Sequence, residues 1–418
     1  MTSSFQVRTS CRLCSHPNLK LVVNLPATVS GNALKKTSSE DDPPLTPIDL
    51  YQCEKCGHVQ VIHIPSPEFL YGKEYPFISS NNPDLVEHFK ESIKFLTENF
   101  ISSIDFALEI GSNDGTFLEE LRKVTGCKVL GVDPSVPPVK IAKERGIETI
   151  LNYFNEEIAH QVIENHGYAD VAIANNVFAH IDDLRGFTNG IKLSLKEGGY
   201  FLFEASYLKD VIEKYLIGTI IHEHLSVHSL HSLIPFLKEF NLRLLAVKYV
   251  ADIQGGAIVG VCQKVSSEEL SLPLDVDILN LLEQERISGI TDTQGLLEFN
   301  SRLNDKASEL KEKINSVANG KTIIGYGASV SSPIIIDLLG LRNKIKYIID
   351  DNPFKKGKYM PIGNIPIVGF DEHRQSSEET IMIILGWAQT ERILNKLKNS
   401  LSGCTVVTVY PEFALFEL

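Results

Sequence analysis

Short apolar segments alternate with helical stretches between residues 105 and 205, and this alternation limits the folds open to the chain more than any other feature. The segments read FALEI, KVLGVD, ETILN, ADVAIANN and GYFLFEA. Apolar runs of this length fit buried strands, and strands that are joined by helices run parallel. The pattern therefore predicts a doubly wound parallel sheet. LRLLAVKYV and GGAIVGVCQKV predict a strand pair that completes it.

A second α/β pattern, with the segments KTIIGYGAS, KYIIDDN and TIMIILGW, runs to the C-terminus. Residues 84–99 have apolar positions at helical spacing, and residues 266–315 are charged and rich in leucine, which favours helices. A chain of 418 residues is too long for one ordinary core. We predict an N-terminal domain rich in strands and turns, a central α/β domain, a helical connection and a C-terminal α/β domain, over residues 1–72, 73–265, 266–315 and 316–418.

Two Cys-x-x-Cys pairs lie near the ends of the N-terminal segment. Four of the seven cysteines form these pairs: Cys11, Cys14, Cys53 and Cys56. Each pair can present two thiolates to one ion, and a structural zinc site takes four such ligands. Two unrelated pairs or a redox dithiol are the alternatives, and His16 and His58 are near enough to act as substitute ligands. We predict a structural zinc site with no open position for chemistry.

A glycine-containing turn follows the first predicted strand of the central domain. In FALEIGSNDGTFLEEL, Glu109 lies near the strand end, and Gly111 and Gly115 lie in the turn. Glycine lets the backbone approach a ligand closely at this edge of a sheet. Asp133 ends the next strand, where an acid can bind both hydroxyls of a ribose. One such turn alone could be an ordinary loop, but ADVAIANNVFAHIDD adds an Asn–Asn pair at the end of a further strand.

The pattern E-x-G-x-x-x-G followed by an acidic strand end resembles class I S-adenosylmethionine-dependent methyltransferases. This resemblance implies S-adenosylmethionine as the cofactor, bound at the carboxyl ends of the strands. The residues expected to bind it are Glu109, Gly111, Asn113, Gly115, Asp133, Pro134, Asn175 and Asn176.

The segment HEHLSVHSL, residues 222–230, places three histidines and a glutamate close together. A zinc protease needs two histidines four residues apart on a helix, and this segment lacks that spacing. In a strand, His222 and His224 would share one face and Glu223 would take the other. A histidine can act as a base near neutral pH. We therefore interpret the segment as a proton-transfer site.

CRLC, CEKCG, EIGSNDG, NNVFAHIDD and HEHLS, in this order, resemble the sugar C-methyltransferases that act on nucleotide-linked 4-keto-deoxysugars. The resemblance covers essentially the whole chain. It implies an α/β protein with a small zinc-binding domain, a class I methyltransferase Rossmann-like domain and a C-terminal Rossmann-like domain. It also implies a base that forms an enolate, which then attacks the methyl group. The implied roles are His224 as the base, Glu223 to orient it, His180 at the keto oxygen and Tyr75 as an active-site tyrosine.

The chain departs from that family at several positions. Ile221 stands where the family has the tyrosine of Y-H-E-H, and Phe77 replaces what is often a second tyrosine. GYGASVSS lacks the usual lysine, and IQGGAIVG lacks the usual histidine and arginine. These changes bear on the identity of the substrate, which the resemblance gives as a nucleotide sugar, dTDP-linked in the first instance.

Charge and hydropathy narrow the possible partners. The net charge is −13, which gives no basic excess to neutralise nucleic-acid phosphates. No apolar run is long enough for a membrane span, and the N-terminus lacks the apolar core of a signal peptide. We expect a soluble cytoplasmic enzyme. Two rival hypotheses are an NAD-dependent oxidoreductase or epimerase, with Asp350 at a strand end of the C-terminal domain, and a non-catalytic S-adenosylmethionine-binding protein.

Overall fold

The computed structural model describes residues 5–29, 33–66, 70, 77–251, 255–374, 379–400, 404–409 and 412–418. The strands are β1 Phe5–Val7, β2 Leu19–Val23, β3 Leu50–Cys53, β4 Val59–Val61, β5 His63–Pro65, β6 Phe106–Ile110, β7 Lys128–Asp133, β8 Thr149–Leu151, β9 Ala169–Asn175, β10 Leu195–Ser206, β11 Ser226–Val227, β12 Leu242–Val250, β13 Ala257–Lys264, β14 Thr322–Tyr326, β15 Ile345–Ile349, β16 Ile367–Val368, β17 Thr380–Ile384, β18 Thr405–Thr408 and β19 Ala414–Glu417. The α-helices are Pro83–Asn99, Thr116–Thr125, Val136–Glu144, Glu156–His166, Leu184–Ser194, Leu208–Glu213, Leu230–Glu239, Val276–Ile287, Thr293–Val317, Ser332–Leu338, Phe370–Arg374 and Thr390–Lys398. The 3-10 helices are Ser79–Asn81, Ile217–Thr219, Glu269–Ser271 and Trp387–Gln389.

The central sheet has the strand order β12-β13-β10-β9-β6-β7-β8. The strands from β8 to β10 pair in parallel, whereas β13 is antiparallel to both β10 and β12. The doubly wound sheet and its terminal strand pair were therefore predicted correctly. The order reverses between β6 and β9, so the crevice at their carboxyl ends is where a ligand is expected in such a sheet.

The helix Pro83–Asn99 covers one face of this sheet. Proline at the first helical position and an Asn82 side chain that accepts from the N–H groups of Asp84 and Leu85 begin the helix. The helix buries an apolar stripe against β6 and the helix Thr116–Thr125, in one core. The segment from Phe77 to Asn82 leads into this helix and lies against the carboxyl edge of the sheet, where Phe77 and Ser79 bond Asn113.

The C-terminal sheet has the order β16-β15-β14-β17-β18-β19, parallel except for β19. The predicted second α/β pattern is therefore confirmed. The charged, Leu-rich region before it forms the helices Val276–Ile287 and Thr293–Val317, and the second of these packs on β2 and β19. One apolar core joins residues of the N-terminal segment, the segment 208–227, the long helix and the C-terminal sheet.

The N-terminal sheet is antiparallel, in the order β11-β4-β3-β2. Its edge strand β11 comes from the central part of the chain, with Ser226 opposite Gln60. This pairing was not predicted, because a strand of two residues carries no periodicity of its own. Within the described residues, no helix combines the length and the apolar character that crossing a bilayer requires.

Candidate active site

The four thiols of the two Cys-x-x-Cys pairs meet at one point. Their sulfur atoms lie within 4.8 Å of one another, and two of the distances, Cys11 to Cys56 and Cys14 to Cys53, are 3.6 Å. A zinc–sulfur bond of about 2.3 Å in a tetrahedron places its sulfurs about 3.8 Å apart. The donor set and spacing therefore fit a structural zinc ion. Neither His16 nor His58 belongs to this cluster, and His58 instead bonds Ser226 Oγ at 3.1 Å.

Arg12, between the first two cysteines, connects the zinc site to the segment HEHLS. It is fully buried, and its Nη1 donates to the carbonyl oxygens of Val61 at 2.6 Å and Leu225 at 3.1 Å. Its guanidinium also pairs with Asp182 at 3.1 Å, after β9. Burial lowers the pKa of Arg12 to about 10. The zinc domain thus braces two loops at the carboxyl edge of the central sheet.

The glycine turn lies between β6 and the helix Thr116–Thr125, at that same edge. Gly111 has a φ of +70°, and a Cβ there would lie 2.1 Å from Val177 Cγ2. Glycine is therefore required both by the left-handed backbone and by the contact with the turn after β9. Glu109 is 2% exposed, and its Oε1 accepts from Asn175 Nδ2 at 3.3 Å.

Two acceptor atoms in this crevice lack a donor in the described structure. They are Glu109 Oε2 and Asn175 Oδ1, both buried. Burial raises the pKa of Glu109 well above that of an ordinary carboxyl group. A buried acceptor without a donor is unfavourable, so the pair suits a cationic N–H donor. The α-ammonium group of S-adenosylmethionine is such a donor, and the residues present therefore fit this cofactor.

Asp133 ends β7 beside the glycine turn. Its carboxylate accepts the backbone N–H groups of Asn113 at 2.9 Å and Ser135 at 2.8 Å, and burial raises its pKa. The two bonds fix the carboxylate and leave lone pairs for a ligand. The Asn113 side chain is committed elsewhere: it accepts from Ser79 N at 2.9 Å and donates to the Phe77 carbonyl oxygen at 3.1 Å. Asn113 therefore holds the segment before the helix Pro83–Asn99 over the glycine turn.

Asn175 ends β9, and the turn after β9 brings Asn176 and His180 to the crevice. Asn176 has a φ of +54°, and its Nδ2 donates to Glu204 Oε1 at 2.9 Å. His180 lies at the end of this turn, with its N–H bonded to the Val177 carbonyl at 2.8 Å. Tyr75 lies outside the described residues. Pro134 follows Asp133, and Gly115 begins the helix with a φ of +74°.

His222 and Glu223 form a turn, and in HEHLS only Ser226 lies in a strand, β11. The N–H of His224 bonds the carbonyl of Ile221 at 3.0 Å, and the side chains of His222 and His224 bond different carbonyls, those of Thr46 and Thr219. His222 is buried, and its Nε2 bonds the Thr46 carbonyl at 3.2 Å in the N-terminal segment. Glu223 is 6% exposed. The segment is anchored to the turn after β9 by Ser226, whose N–H donates to the Ala179 carbonyl at 3.0 Å.

His224 has a defined tautomer. Its Nδ1 lies 2.6 Å from the Thr219 carbonyl oxygen, which can only accept, so Nδ1 carries the proton and Nε2 the lone pair. Its ring faces that of His180, with the ring centroids 5.0 Å apart. Burial lowers the pKa of both rings, that of His180 well below the ordinary value, with a further contribution from the neighbouring His224. Two neutral imidazoles therefore lie side by side at the carboxyl edge of the sheet.

Glu204, two residues before the end of β10, is a candidate that the sequence analysis missed. It is fully buried, and its Oε2 bonds Nε2 of His88, in the helix Pro83–Asn99, at 2.5 Å. Glu109 was identified through the glycine turn that follows it, and no glycine turn follows Glu204 in FLFEASYL. Thr219 was missed because a backbone carbonyl has no sequence signature.

The C-terminal GYGAS loop engages its own acid. Asp350, after β15, accepts from Ala328 N at 2.7 Å and from Lys355 Nζ at 3.3 Å, and Lys355 also donates to the Ala328 carbonyl at 2.8 Å. The carboxylate that would bind a dinucleotide ribose therefore pairs with a lysine of the same chain, whereas the described partners of Asp133 include no cation. This arrangement does not favour an NAD site.

Three family profiles match the chain. They are described as a zinc binding domain over residues 11–71, a methyltransferase domain over 86–247 and a C-methyltransferase C-terminal domain over 252–411. Among solved structures, a magnesium protoporphyrin IX methyltransferase from Synechocystis PCC 6803 is 12% identical, covering 43% of this chain and 83% of that chain with a TM-score of 0.33. A SAM dependent methyltransferase from Archaeoglobus fulgidus is 15% identical, covering 43% and 94% with a TM-score of 0.36.

A curated relative matches along nearly the full length. C-methyltransferase NovU of Streptomyces niveus is 30% identical over 407 residues, which is 96% of this chain and 95% of NovU. The match spans the thiol cluster, the methyltransferase sheet and the C-terminal sheet together. The chain belongs to the family of S-adenosylmethionine-dependent C-methyltransferases that includes NovU.

Proposed function

We propose that the chain transfers a methyl group to a carbon next to the ketone of a nucleotide-linked keto-deoxysugar, after a base of the protein has formed the enolate. The observation that carries the proposal is the geometry of His224. Its Nδ1–H is held by the Thr219 carbonyl at 2.6 Å, so Nε2 has the lone pair that proton abstraction requires. The ketone makes the neighbouring C–H acidic enough for a histidine base.

The protonation state of His224 favours this role. Burial lowers its pKa below the ordinary histidine value, so the imidazole is neutral at pH 7 and can accept a proton. The rate of proton abstraction should then rise with pH through this lowered pKa and be level near neutrality. A base with a raised pKa would instead remain protonated, and inactive, at pH 7.

His180 is proposed to stabilise the enolate oxygen. Burial lowers its pKa well below the ordinary value, so the ring is neutral and carries one N–H. Its ring lies 5.0 Å from that of His224, a separation that allows one substrate to reach both. A donor fixed at the place where negative charge develops is an effective source of rate acceleration.

When bound, S-adenosylmethionine supplies an electrophilic methyl group on a positively charged sulfur. Glu109 and Asn175 are proposed to accept hydrogen bonds from its ammonium group, since each has a buried oxygen without a donor in the described structure. Asp133 is proposed to bind the ribose hydroxyls. The turn from Gly111 to Gly115 is proposed to lie against the amino-acid part.

The sugar nucleotide, dTDP-linked in the first instance, is proposed from the resemblance of HEHLS and NNVFAHIDD to the sugar C-methyltransferases. Ile221, at the family's tyrosine position, is buried and lines a small apolar cleft with Val29, Val330 and Ile334. It cannot donate a hydrogen bond. We therefore propose that His224 and His180 do the proton chemistry without a tyrosine at position 221.

The test is solvent deuterium exchange at the carbon next to the ketone of a dTDP-linked 4-keto-6-deoxy sugar, with S-adenosylhomocysteine bound. Wild type should exchange, and His224→Asn should be slower by about 10²–10⁴-fold, because the shape remains while the basic nitrogen is lost. Binding of S-adenosylhomocysteine should be unchanged. His160→Asn, at an exposed histidine, is the matched control. Exchange by His224→Asn at the wild-type rate would show that His224 is not the base.

A further inference from the structure

The Thr219 carbonyl, which holds His224, is itself fixed by its surroundings. It belongs to the 3-10 helix Ile217–Thr219, directly before HEHLS. The N–H and the hydroxyl of Thr219 both donate to the Leu216 carbonyl, at 3.0 and 2.7 Å. Thr219 is 5% exposed. The direction of its carbonyl therefore depends on the position of the turn 216–219 as a whole.

Trp387 of the C-terminal domain packs directly on this turn. It is the single tryptophan of the chain, and it lies in the 3-10 helix Trp387–Gln389 after β17. A Cβ on Gly218 would lie 1.8 Å from the indole Nε1 and 2.2 Å from Cδ1. The indole thus occupies the space that any side chain at position 218 would need.

The indole is held on its other sides as well. It is 7% exposed and belongs to one apolar core with Leu216 and Ile217. A Cβ on Gly255 would lie 3.2 Å from the indole Cζ3, so a second glycine also gives the ring its space. Thr390 Oγ1 donates to the Trp387 carbonyl at 2.6 Å and fixes the backbone from which the ring projects. A flat, rigid ring held in this way cannot move without displacing the turn.

We infer that Trp387 is a positioning residue for proton abstraction: its contact with Gly218 holds the Thr219 carbonyl, and through it the ring of His224. The C-terminal domain then takes part in the reaction without supplying a reacting group. The inference rests on the proposed function, because it takes His224 as the base. It does not depend on which sugar or which nucleotide is bound.

The direct test measures the hydrogen bond of the His224 imidazole and does not measure turnover. In protein labelled with ¹⁵N-histidine, the Nδ1–H of His224 should give a protected proton signal, assigned by its loss in His224→Asn. Trp387→Ala should lose this signal, whereas Trp387→Phe, which keeps a ring, should retain it. Leu397→Ala is the control, since Leu397 is fully buried in the core on the opposite face of the same sheet.

The rate of deuterium exchange into the keto sugar is the second measurement. Trp387→Ala should slow deuterium exchange into the keto sugar about 10–100-fold, because a small displacement of a reacting group has this effect. Affinity for S-adenosylhomocysteine should stay within about twofold of wild type, since the glycine turn is not touched. The acidic limb of the pH profile should move to lower pH, because the hydrogen bond to Thr219 raises the pKa of His224.

Two outcomes would overturn the inference. In the first, Trp387→Ala keeps the Nδ1–H signal of His224. In the second, Trp387→Ala catalyses deuterium exchange into the keto sugar as fast as Leu397→Ala does. If Trp387→Ala fails to fold, Gly218→Ala serves in its place with the same expected losses, because its Cβ displaces the turn from the other side. Failure of the proposed function is a separate result. It would appear as normal exchange by His224→Asn, and the signal in Trp387→Ala would still decide whether the indole holds the ring.

Discussion

Gly111→Ala should destabilise the fold in two ways: its backbone is left-handed, and its new Cβ would collide with Val177. A control variant separates the two costs. Gly111 has a φ of +70°, and its new Cβ would lie 2.1 Å from Val177 Cγ2, well inside contact distance. Gly126, which ends the helix Thr116–Thr125, has a φ of +72°, and a Cβ added there would have no heavy atom within 4 Å. Gly126→Ala is therefore a matched control that carries the backbone strain alone.

The magnitudes follow from these two contacts. A left-handed backbone costs a non-glycine residue about 1–2 kcal/mol, which applies to both variants. Gly111→Ala must also displace the β-branched Val177, and overpacking of this kind costs about 1–3 kcal/mol more. We therefore expect Gly111→Ala to be less stable than Gly126→Ala by about 1–3 kcal/mol. For a domain of this size the gap is roughly 2–12 °C in Tm.

Thermal unfolding and calorimetry with S-adenosylhomocysteine check both parts. Val177 lies in the turn that carries Asn176 and His180, so Gly111→Ala should weaken S-adenosylhomocysteine binding at least tenfold, while Gly126→Ala should bind normally. Equal stability losses and equal affinities in the two variants would refute the reasoning. The close approach of the two turns would then have no role in forming the cofactor site.

Three further predictions concern the metal, the cofactor and pH. Zinc should be present at one ion per chain by elemental analysis, and Cys14→Ser should lower both zinc content and Tm, whereas Cys127→Ser, at a buried cysteine outside the cluster, should keep the zinc. Asp133→Asn should weaken S-adenosylhomocysteine binding about 10–150-fold by calorimetry, since a charge-assisted bond contributes about 1.5–3 kcal/mol. Burial raises the pKa of Glu109 in the folded state, so folding is linked to proton binding at this carboxyl group. This contribution to the free energy of unfolding is complete below the unfolded carboxyl pKa of about 4.3 and is lost as pH rises through the folded pKa. Free wild type should therefore lose more Tm between pH 5 and pH 8 than Glu109→Gln does, and equal losses would contradict this account.

The parts of the fold that local pattern controls were predictable. β6 covers the same five residues, Phe106–Ile110, that the apolar segment FALEI indicated. Glu109 was identified there because Gly111 and Gly115 follow it at the spacing E-x-G-x-x-x-G. The four cysteines were predictable for a similar reason, since the spacing within each pair is set by one turn.

The parts that depend on distant partners were not predictable. Glu204 has no glycine turn after it, and its partner His88 is 116 residues away in the sequence, so no local pattern connects the two. For HEHLS, the sequence analysis considered a strand in which His222 and His224 share one face. The observed conformation is instead set by contacts with Thr46, Thr219 and the turn after β9. The hydrogen bond from Ser79 N to Asn113 Oδ1 likewise joins the glycine turn to a segment 34 residues earlier in the chain.

The position of β11 has a consequence for how the protein is made. The edge of the N-terminal sheet is completed only when Ser226 pairs with Gln60, and most of the methyltransferase domain is synthesised between them. At about 5–20 residues per second, the nascent chain waits roughly 10–30 seconds after its cysteines leave the ribosome before that edge can close. During this interval an exposed strand edge could pair with another chain. Early zinc capture would keep the half-formed sheet in register, so the metal would protect the nascent protein before any active site exists.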